Sequence, residues 1–474
     1  MKKVEVVFIP SPGVGHLVST LEFAKLLINR DNRLRVTVLI IKFPNSPAET
    51  AETPSFSDSE NLHVINLPEN AYVPSTSNVG SSVMALVETQ KANVKEAVSN
   101  ITGKLAAFVV DMFCTPMIDV ANDFGVPSLV YFTSGVAFLG LVLHFHTLLE
   151  DNIEATRLLM QQDELDIPCF ANPVPTNTLP TVVLRKEWES SFINYVRGLK
   201  KASGVIVNSF HELESHAVHS FLEDPGLCSF PIYPVGPVLN LETKPEPNGI
   251  VDSDDIIKWL DDQPLSSVVF FCFGSKGSFD EDQIREIAYA IEKSEARFLW
   301  SLRKPPPKGT MCETSDYSLS DLVAVLPKGF LDRTALIGRV IGWAPQAQVL
   351  AHPATGGFVS HCGWNSTLES IYYCVPIATW PLFADQQTNA FQLVSELKMG
   401  VEISLDYRME YDVGRDYLLT SDKIEKGIRS VLEMDGEVRK KVKEMSEHCR
   451  KTLLEGGSSY TCLGSLIDYI MNHV

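Results

Sequence analysis

Short, continuous apolar runs alternate with helix-like amphipathic segments along the first part of the chain. The run Val4–Ile9 predicts a strand that is buried on both faces of a parallel sheet. In the next segment the apolar side chains recur with the helical period, which predicts a helix over Leu17–Asn29. Arg35–Ile41 predicts the following strand, so the chain opens with a βαβ unit and its right-handed crossover.

The same alternation continues and then restarts in the second half of the chain. Further strands are predicted at Leu62–Leu67, Ala106–Val110, Ser128–Phe132, Gly204–Asn208, Val268–Phe273, Phe298–Ser301 and Pro376–Trp380. Helices are predicted at Val83–Ile101, Thr115–Phe124, Gly135–Leu149, Glu281–Ser294 and Tyr460–Asn472, with two more between Asp422 and Gly456. This pattern indicates an α/β protein built from two Rossmann-like halves.

The length of 474 residues favours two domains, because one hydrophobic core rarely serves so long a chain. A polar segment rich in Pro and Gly, residues 240–252, is the predicted linker. We therefore expect a first domain at 1–239, a second at 253–456, and a C-terminal helix within 457–474.

Composition and charge narrow the classes of partner. The net charge of −19 argues against nucleic acid or an anionic membrane, since both attract basic surfaces. A phosphorylated small ligand stays possible, because a helix N-terminus binds phosphate without any basic side chain. The nine cysteines, in no metal-binding or CxxC spacing, indicate free thiols in a reducing compartment. No window reaches the roughly 20 apolar residues of a membrane span, so we expect a cytoplasmic protein.

Two polar residues follow predicted strands and are candidates for chemistry. His16 lies where the first strand gives way to the first helix, and Asp111 follows the strand Ala106–Val110. Ligands of open α/β sheets bind outside the carboxyl ends of the strands, which favours a functional role for both. Each also has a plain structural interpretation, since His16 could cap a helix and Asp111 could serve in a cap or a turn.

The common nucleotide and hydrolase fingerprints are missing from the sequence. Neither half contains GxGxxG, and no GxxxxGK[ST], HExxH or GxSxG occurs. These absences weaken the interpretation as a Rossmann-type oxidoreductase, which remains one alternative. A protein that binds a nucleotide sugar without turning it over is the other.

The segment Trp343–Gln386 concentrates groups that suit a nucleotide. Small and polar residues around His361 and Ser366 open a helix whose backbone N–H groups and dipole suit a diphosphate, as does Ser275 in an earlier turn. Glu369, one turn further, could accept hydrogen bonds from a ribose diol.

The two ends of this segment offer further contacts. Trp343 presents a flat face for a base, and such stacking typically contributes about 1–3 kcal/mol. Asp385 and Gln386 follow a predicted strand and could bind sugar hydroxyls. Taken singly, Trp343 could be a core residue, Glu369 a surface residue and His361 a cap.

The segment Trp343–Gln386 resembles the signature of plant family-1 UDP-sugar glycosyltransferases. The likeness extends to the His16 turn, to Asp111, to Phe273-Gly274-Ser275 and to Gly456-Gly457-Ser458-Ser459. The branch it resembles glucosylates hydroquinone, flavonoids, other phenols and terpenoids. The resemblance implies a GT-B fold, with an acceptor-binding first domain and a UDP-sugar-binding second domain facing across a cleft. It also implies that the C-terminal helix packs back on the first domain.

The resemblance also implies roles for individual residues. Uracil would lie on Trp343 beside the Ala344 backbone, with Gln346 and Glu369 at the ribose. The diphosphate would be held by Ser275, His361, Asn365 and Ser366. The sugar would be surrounded by Thr133, Trp364, Asp385 and Gln386, where Trp364 and Gln386 accompany glucose in the family. Asp385 stands where many relatives carry Glu, and Tyr373-Cys374 replaces a commoner pair.

The implied reaction is an inverting transfer of glucose from UDP-glucose to a hydroxyl of a small phenol, flavonoid or terpenoid, giving a β-O-glucoside. His16 would act as general base and Asp111 would orient it. UDP-glucose would be a co-substrate, with no metal and no other cofactor. We expect a monomer, because no long heptad repeat or large apolar helix face stands out.

Overall fold

A computed structural model describes residues 3–43, 60–69, 79–150, 162–223, 227, 230–241, 253–306, 314–409 and 418–473. The strands are β1 Val4–Ile9, β2 Leu34–Ile40, β3 Leu62–Asn66, β4 Lys104–Asp111, β5 Ser128–Phe132, β6 Glu164–Leu165, β7 Val174–Pro175, β8 Gly204–Val207, β9 Ile232–Pro234, β10 Val268–Cys272, β11 Arg297–Ser301, β12 Arg303–Lys304, β13 Ser315–Asp316, β14 Gly338–Ile341, β15 Thr355–Ser360, β16 Ile377–Thr379 and β17 Gly400–Glu402.

The helices are α1 Val14–Arg30, α2 Val79–Thr89, α3 Lys91–Ser99, α4 Ile118–Asp123, α5 Val136–Glu150, α6 Thr181–Leu184, α7 Glu189–Lys200, α8 Ser215–Glu223, α9 Ser253–Asp261, α10 Glu281–Ser294, α11 Leu319–Val325, α12 Phe330–Thr334, α13 Gln346–Ala351, α14 Trp364–Tyr372, α15 Gln386–Phe391, α16 Ser421–Val431, α17 Glu437–Thr452 and α18 Ser458–Met471. In the part of the chain that the structure describes, none of them is long and apolar enough to cross a membrane.

The chain divides into two compact units. Unit 1 comprises Met1–Pro173, Val182–Asn240 and Lys451–Val474, and unit 2 comprises Val174–Thr181 and Leu241–Arg450. The division departs from the predicted bounds because the eight residues Val174–Thr181 belong to unit 2 and unit 1 resumes at Lys451. Unit 2 also begins at Leu241, within the predicted linker. Most of the predicted linker, from residue 242 onward, lies outside the described residues.

Unit 1 is built on one parallel sheet with the strand order β3-β2-β1-β4-β5-β8-β9. All six residues of β1 are buried, as expected for a central strand with helices on both faces. The C-terminal helix α18 places Leu466 and Ile470, both fully buried, in the same hydrophobic core as β1. The expectation that this helix packs on the N-terminal sheet is therefore confirmed.

Unit 2 repeats the arrangement with the parallel order β14-β11-β10-β15-β16-β17. Every residue of β10 and β15 is buried. Its core contains an aromatic cluster in which the ring of Trp380 lies 5.5 Å from that of Phe273 and 5.7 Å from that of Tyr407. The predicted fold class, two parallel α/β units, is confirmed.

The predicted helix Val83–Ile101 is wrong as a single element, because the structure has two helices there. They meet at Gln90, which is buried and keeps helical dihedral angles. Its side-chain Nε2 donates to the carbonyl of Pro68 at 3.1 Å and so ties the break to the loop after β3.

A strap formed by Val174–Thr181 lies on unit 2, although the chain on either side of it belongs to unit 1. The guanidinium of Arg408 holds it. Nη1 donates to Oγ1 of Thr181 at 3.0 Å, and Nη2 donates to the carbonyls of Asn177 at 2.7 Å and Leu179 at 2.5 Å. Bonds from a charged donor are about twice as strong as neutral ones, so this side chain is the main polar anchor of the strap.

The strap also touches α15, the helix that follows Asp385. Oγ1 of Thr388, in the first turn of α15, donates to the carbonyl of Thr178 at 3.1 Å, and both residues are buried. The strap therefore supports a helix that begins at a predicted sugar-binding residue.

Replacing Arg408 by Ala should loosen the strap. Because three charged hydrogen bonds are lost, we expect unfolding free energy to fall by about 1–3 kcal/mol. Amide hydrogen exchange at residues 176–181 should accelerate more than exchange in β10 or β15. Arg285→Ala is the control, because its ion pairs with Glu281 and Asp282 are exposed and should contribute less than about 0.5 kcal/mol. Unchanged exchange in the strap of the Arg408 variant would contradict the anchoring role.

Candidate active site

Three neighbouring strands of unit 1 bring polar side chains to one edge of the sheet. β1 pairs with β4 and β4 with β5, all parallel, so their carboxyl ends meet at the same edge. His16 lies in the first turn of α1 just beyond β1, Asp111 is the last residue of β4, and Thr133 directly follows β5. His16 is thereby brought beside residues 95 and 117 positions further along the chain.

A hydrogen bond joins the two predicted catalytic residues. His16 Nδ1 lies 2.8 Å from Asp111 Oδ2, and the other carboxylate oxygen accepts the Phe113 backbone N–H at 3.0 Å. The Asp111 side chain is fully buried, whereas 31% of the His16 side chain is exposed. A buried carboxylate at Nδ1 favours the tautomer with a proton there, so Nε2 is the unprotonated ring nitrogen and can act as a base.

Thr133 lies against this pair. Its Oγ1 is 3.2 Å from His16 Nδ1 and 3.5 Å from the sulfur of Met112, to which it donates. The side chain predicted to contact the sugar is therefore also a neighbour of the imidazole. Its oxygen is a second acceptor for the Nδ1 proton, which further restrains the ring.

In unit 2 the residues of the Trp343–Gln386 segment converge in the same way. β14, β11, β10, β15 and β16 are consecutive in the sheet, and each is followed by a residue of interest. In strand order these are Trp343, Arg303, Ser275, His361 and Asp385. One sheet edge thus carries the predicted contacts to base, diphosphate and sugar, together with Arg303, which the sequence analysis missed.

The predicted ribose contacts form one hydrogen-bonded group. Nε2 of Gln346 donates to Glu369 Oε2 at 2.7 Å and to Ser366 Oγ at 2.9 Å. Burial raises the pKa of Glu369 to about 7, although the bond from Gln346 opposes the shift. The Glu369 carboxyl is therefore partly protonated near neutral pH when no ligand is bound.

His361 is held in a narrow space beside the start of α14. A Cβ added to Gly274 or to Gly363 would lie 2.6 Å from its Nε2, so only glycine fits at these two positions. Gly274 also has a φ of +74°, which other residues rarely adopt. Burial lowers the pKa of His361 to about 4, so the ring is neutral at pH 7 and can donate one N–H without carrying charge.

Helix α14 begins without a side-chain cap. Its N-cap is Gly363, which provides no side-chain hydrogen bond, and Trp364, Asn365 and Ser366 form the first turn. The preceding Cys362 has a φ of 61°, a left-handed conformation that is uncommon for a residue with a Cβ. Asn389 Nδ2 donates to the Cys362 carbonyl at 3.0 Å and helps to hold this turn.

The predicted sugar contacts lie at the start of α15. Gln386 is buried, and its Oε1 accepts the backbone N–H groups of Leu382 at 2.9 Å and Phe383 at 3.0 Å. Its amide nitrogen is thus the atom left to donate outward. Oδ2 of Asp385 accepts from Asn389 Nδ2 at 3.0 Å, so Asn389 connects the sugar end of the site to the Cys362 turn.

Trp343 and Ala344 follow β14 at the other end of the sheet edge. Trp343 is 36% exposed, whereas Ala344 is buried. The guanidinium of Arg303 lies 5.3 Å from the centre of the Trp343 ring, and Asp316 Oδ1 accepts the Trp343 backbone N–H at 3.0 Å. Arg303 follows β11 by two residues, so the strand-end rule that identified His16 could have identified it as well.

Comparison with known proteins gives the family. The family described as UDP-glucoronosyl and UDP-glucosyl transferase matches residues 253–413. A UDP-glucose flavonoid 3-O-glucosyltransferase of Fragaria ananassa is 49% identical, and the alignment covers 99% of each chain. The chain belongs to this family of UDP-glycosyltransferases. The predicted enzyme class is confirmed, and the oxidoreductase alternative is wrong.

Solved structures of UDP-glycosyltransferases match this chain over nearly its full length. A UGT transferase of Siraitia grosvenorii, solved with UDP, is 45% identical with a TM-score of 0.86, and the match covers 99% of this chain and 100% of that one. A UGT of Medicago truncatula complexed with UDP-glucose is 38% identical with a TM-score of 0.85, covering 99% and 98%. The glycosyltransferase described here therefore has the predicted GT-B fold.

The raised pKa of Glu369 predicts how UDP binding depends on pH. Ribose hydroxyls would donate to the ionised carboxylate, so binding should release a proton below pH 7. The Kd for UDP should fall as pH rises from 6 to 8, by up to about tenfold beyond the change shown by Glu369→Gln. The Gln variant is the baseline because UDP itself titrates. Calorimetry in buffers of different ionisation enthalpy measures the released proton, and equal release by both proteins would contradict the assignment.

Proposed function

We propose that this enzyme transfers glucose from UDP-glucose to a hydroxyl of a small aromatic or terpenoid acceptor, with inversion, to give a β-O-glucoside. The observation that carries the proposal is the 2.8 Å bond between the part-exposed His16 and the buried carboxylate of Asp111. A protein that only held a nucleotide sugar would have no use for an oriented base, so this bond also argues against the non-catalytic alternative.

In the proposed mechanism Nε2 of His16 accepts the proton of the acceptor hydroxyl as its oxygen attacks C1 of glucose. The bond from C1 to the UDP oxygen breaks on the opposite face, and UDP leaves with the electron pair. Asp111 stabilises the imidazolium that forms, and Thr133 restrains the same ring nitrogen. General-base assistance of this kind typically contributes about 10²–10⁴-fold.

The donor is proposed to bind along the sheet edge of unit 2. Uracil stacks on Trp343 beside Ala344, and the ribose binds the group formed by Gln346 and Glu369. The first turn of α14, whose N-cap Gly363 offers no side chain to compete, receives the diphosphate together with Ser275, His361, Asn365 and Ser366. Because this dipole stabilises the charge on departing UDP, we propose that the reaction needs no metal.

Glucose is proposed to lie beside Trp364, Asp385 and Gln386. The engaged Oε1 of Gln386 fixes the orientation of its amide, so the nitrogen can only donate. Asp385 can only accept when ionised. A donor and an acceptor side by side match adjacent hydroxyls of a hexose such as glucose.

The surroundings of His16 support an aromatic acceptor. The ring of Phe113, which is partly exposed, lies 5.5 Å from the imidazole, and Tyr195 lies 5.8 Å beyond it. A phenol whose hydroxyl meets Nε2 would have Phe113 within reach of an aromatic contact. The Fragaria ananassa relative is named as a flavonoid 3-O-glucosyltransferase, so a flavonol is the first acceptor to test. The monomeric state and the cytoplasmic location stay predictions.

The test is an assay of purified protein with UDP-glucose and a flavonol, a simple phenol and a triterpene alcohol. We expect acceptor-dependent release of UDP and a product whose anomeric proton shows the coupling of a β-glucoside. Excess EDTA should leave the rate unchanged. An α-linked product would overturn inversion, and UDP release without any glucoside would overturn the transfer itself.

The His16→Ala variant should separate binding from chemistry. Because only the base is removed, we expect kcat to fall by about 10²–10⁴-fold while the Kd for UDP changes less than about twofold. The Asp111→Asn variant should also lower kcat, since an amide no longer stabilises the imidazolium. Calorimetry and initial rates measure both quantities, and an active His16→Ala enzyme would remove His16 from the base role.

A further inference from the structure

We propose that Arg303 is a positioning residue that fixes the Trp343 ring and thereby sets how well the enzyme selects the base of its donor. The inference rests on the proposed function, since it assumes that Trp343 stacks on the base. It adds a residue outside the Trp343–Gln386 segment, drawn from a different strand.

Arg303 begins the two-stranded antiparallel pair β12–β13, opposite Asp316. Its Nη1 donates to Asp316 Oδ1, and the two side chains are only 11% and 13% exposed. Its other nitrogens bind Thr314, with Nε donating to Oγ1 at 3.1 Å and Nη2 to the carbonyl at 2.9 Å. The planar guanidinium is thus held from several directions, which a flexible ammonium could not reproduce.

The same carboxylate oxygen fixes the backbone of Trp343. Asp316 Oδ1 accepts the Trp343 N–H at 3.0 Å as well as the bond from Arg303. A Cβ added to Gly342 would lie 2.2 Å from the Asp316 carboxyl carbon, so this close approach requires a glycine there. Oγ1 of Ser301 donates to the Gly342 carbonyl at 2.7 Å. The peptide that leads into Trp343 is therefore bonded on both sides.

The guanidinium also acts on the indole itself. It lies 5.3 Å from the centre of the Trp343 ring, within the range of a cation–π interaction. A cation near one face restricts the ring to few rotamers and leaves the second face for a base. Because Trp343 is 36% exposed, it would otherwise have room to change rotamer.

The network continues to the turn predicted to hold the diphosphate. Oγ1 of Thr314, which accepts from Arg303, donates to the carbonyl of Ser275 at 2.8 Å. Arg303 therefore connects the Trp343 ring, on which the base is proposed to stack, with the Ser275 turn through one intervening residue, Thr314. We expect it to set the distance between these two parts of the donor site.

A fixed ring discriminates between bases better than a mobile one. Stacking alone accepts any base, because every base has a flat face. Selection of uracil requires that the ring hold the base edge at a set position against neighbouring backbone atoms such as those of Ala344. Losing Arg303 should therefore weaken UDP binding and also reduce the preference for UDP over ADP.

The experiment compares Arg303→Gln, Trp343→Ala and the double variant with the wild type. We expect Arg303→Gln to raise the Kd for UDP about tenfold but to change it less than about twofold when Trp343 is already Ala. The ratio of the ADP Kd to the UDP Kd should fall several-fold in Arg303→Gln. The KM for UDP-glucose should rise by a larger factor than kcat falls, because Arg303 touches no reacting atom.

Two controls separate positioning from loss of folding. Arg303→Gln leaves Asp316 with an uncompensated charge in a mostly buried place, so the variant Arg303→Gln/Asp316→Asn replaces the ion pair by two neutral amides. Its thermal unfolding should match the wild type while its UDP binding stays weak and less selective. Arg333→Gln removes an arginine that is half exposed and paired with Glu292, and should change neither Kd.

The possible results distinguish failure of the positioning role of Arg303 from failure of the proposed donor function. Equal losses on UDP and ADP, or additive effects of the Arg303 and Trp343 changes, would overturn the positioning role. If the wild type fails to bind UDP, the proposed donor function fails along with this inference. If the wild type binds UDP and transfers glucose while the Arg303 variants behave like it, only this inference fails.

Discussion

Parallel pairing is the constraint on which both halves of this enzyme depend. When all strands of a sheet run the same way, every carboxyl end lies on one edge, and each connection must return along a face of the sheet. His16, Asp111 and Thr133 meet in unit 1 because β1, β4 and β5 are neighbours. In unit 2 five consecutive parallel strands likewise bring their carboxyl ends, and the residues after them, to one edge of the sheet. Chemistry thus comes from residues far apart in sequence, held by a backbone whose amides are already paired.

Strand ends can be recognised in the sequence, but the order of the strands in the sheet cannot. Residues at strand ends could therefore be predicted as functional, whereas their contacts could not. Apolar runs revealed β1, β4, β5 and β10, so the residues after them could be proposed as functional. Which side chains touch depends on which strands are neighbours and on local rotamers. The contact of Thr133 with His16 and the anchoring of the strap by Arg408 therefore appear only in the structure. Arg303 was missed for another reason, because its partners Thr314 and Asp316 lie in a segment for which the sequence predicted neither a strand nor a helix.

Several site residues are oriented by hydrogen bonds inside the protein. Asp111 binds the Phe113 backbone with one oxygen and His16 with the other. Gln386 engages its carbonyl oxygen and leaves its amide nitrogen. Such internal bonds fix orientation before substrate arrives, so little reorganisation is needed during the reaction. The cost is that a small change in a supporting residue moves the functional atom.

The charge states of the side chains in the proposed donor site are also set by the protein before a ligand binds. Burial keeps His361 neutral and holds Glu369 near its midpoint at pH 7, while the guanidinium of Arg303 is paired with Asp316. In the proposed binding mode, charge on the diphosphate would then meet backbone N–H groups, the dipole of α14 and neutral side chains such as His361 rather than a cation. Dipoles stabilise an anion less than fixed, unpaired cations in the same place would. A site of this kind can stabilise departing UDP and still release it, which an enzyme that must exchange its nucleotide in every turnover requires.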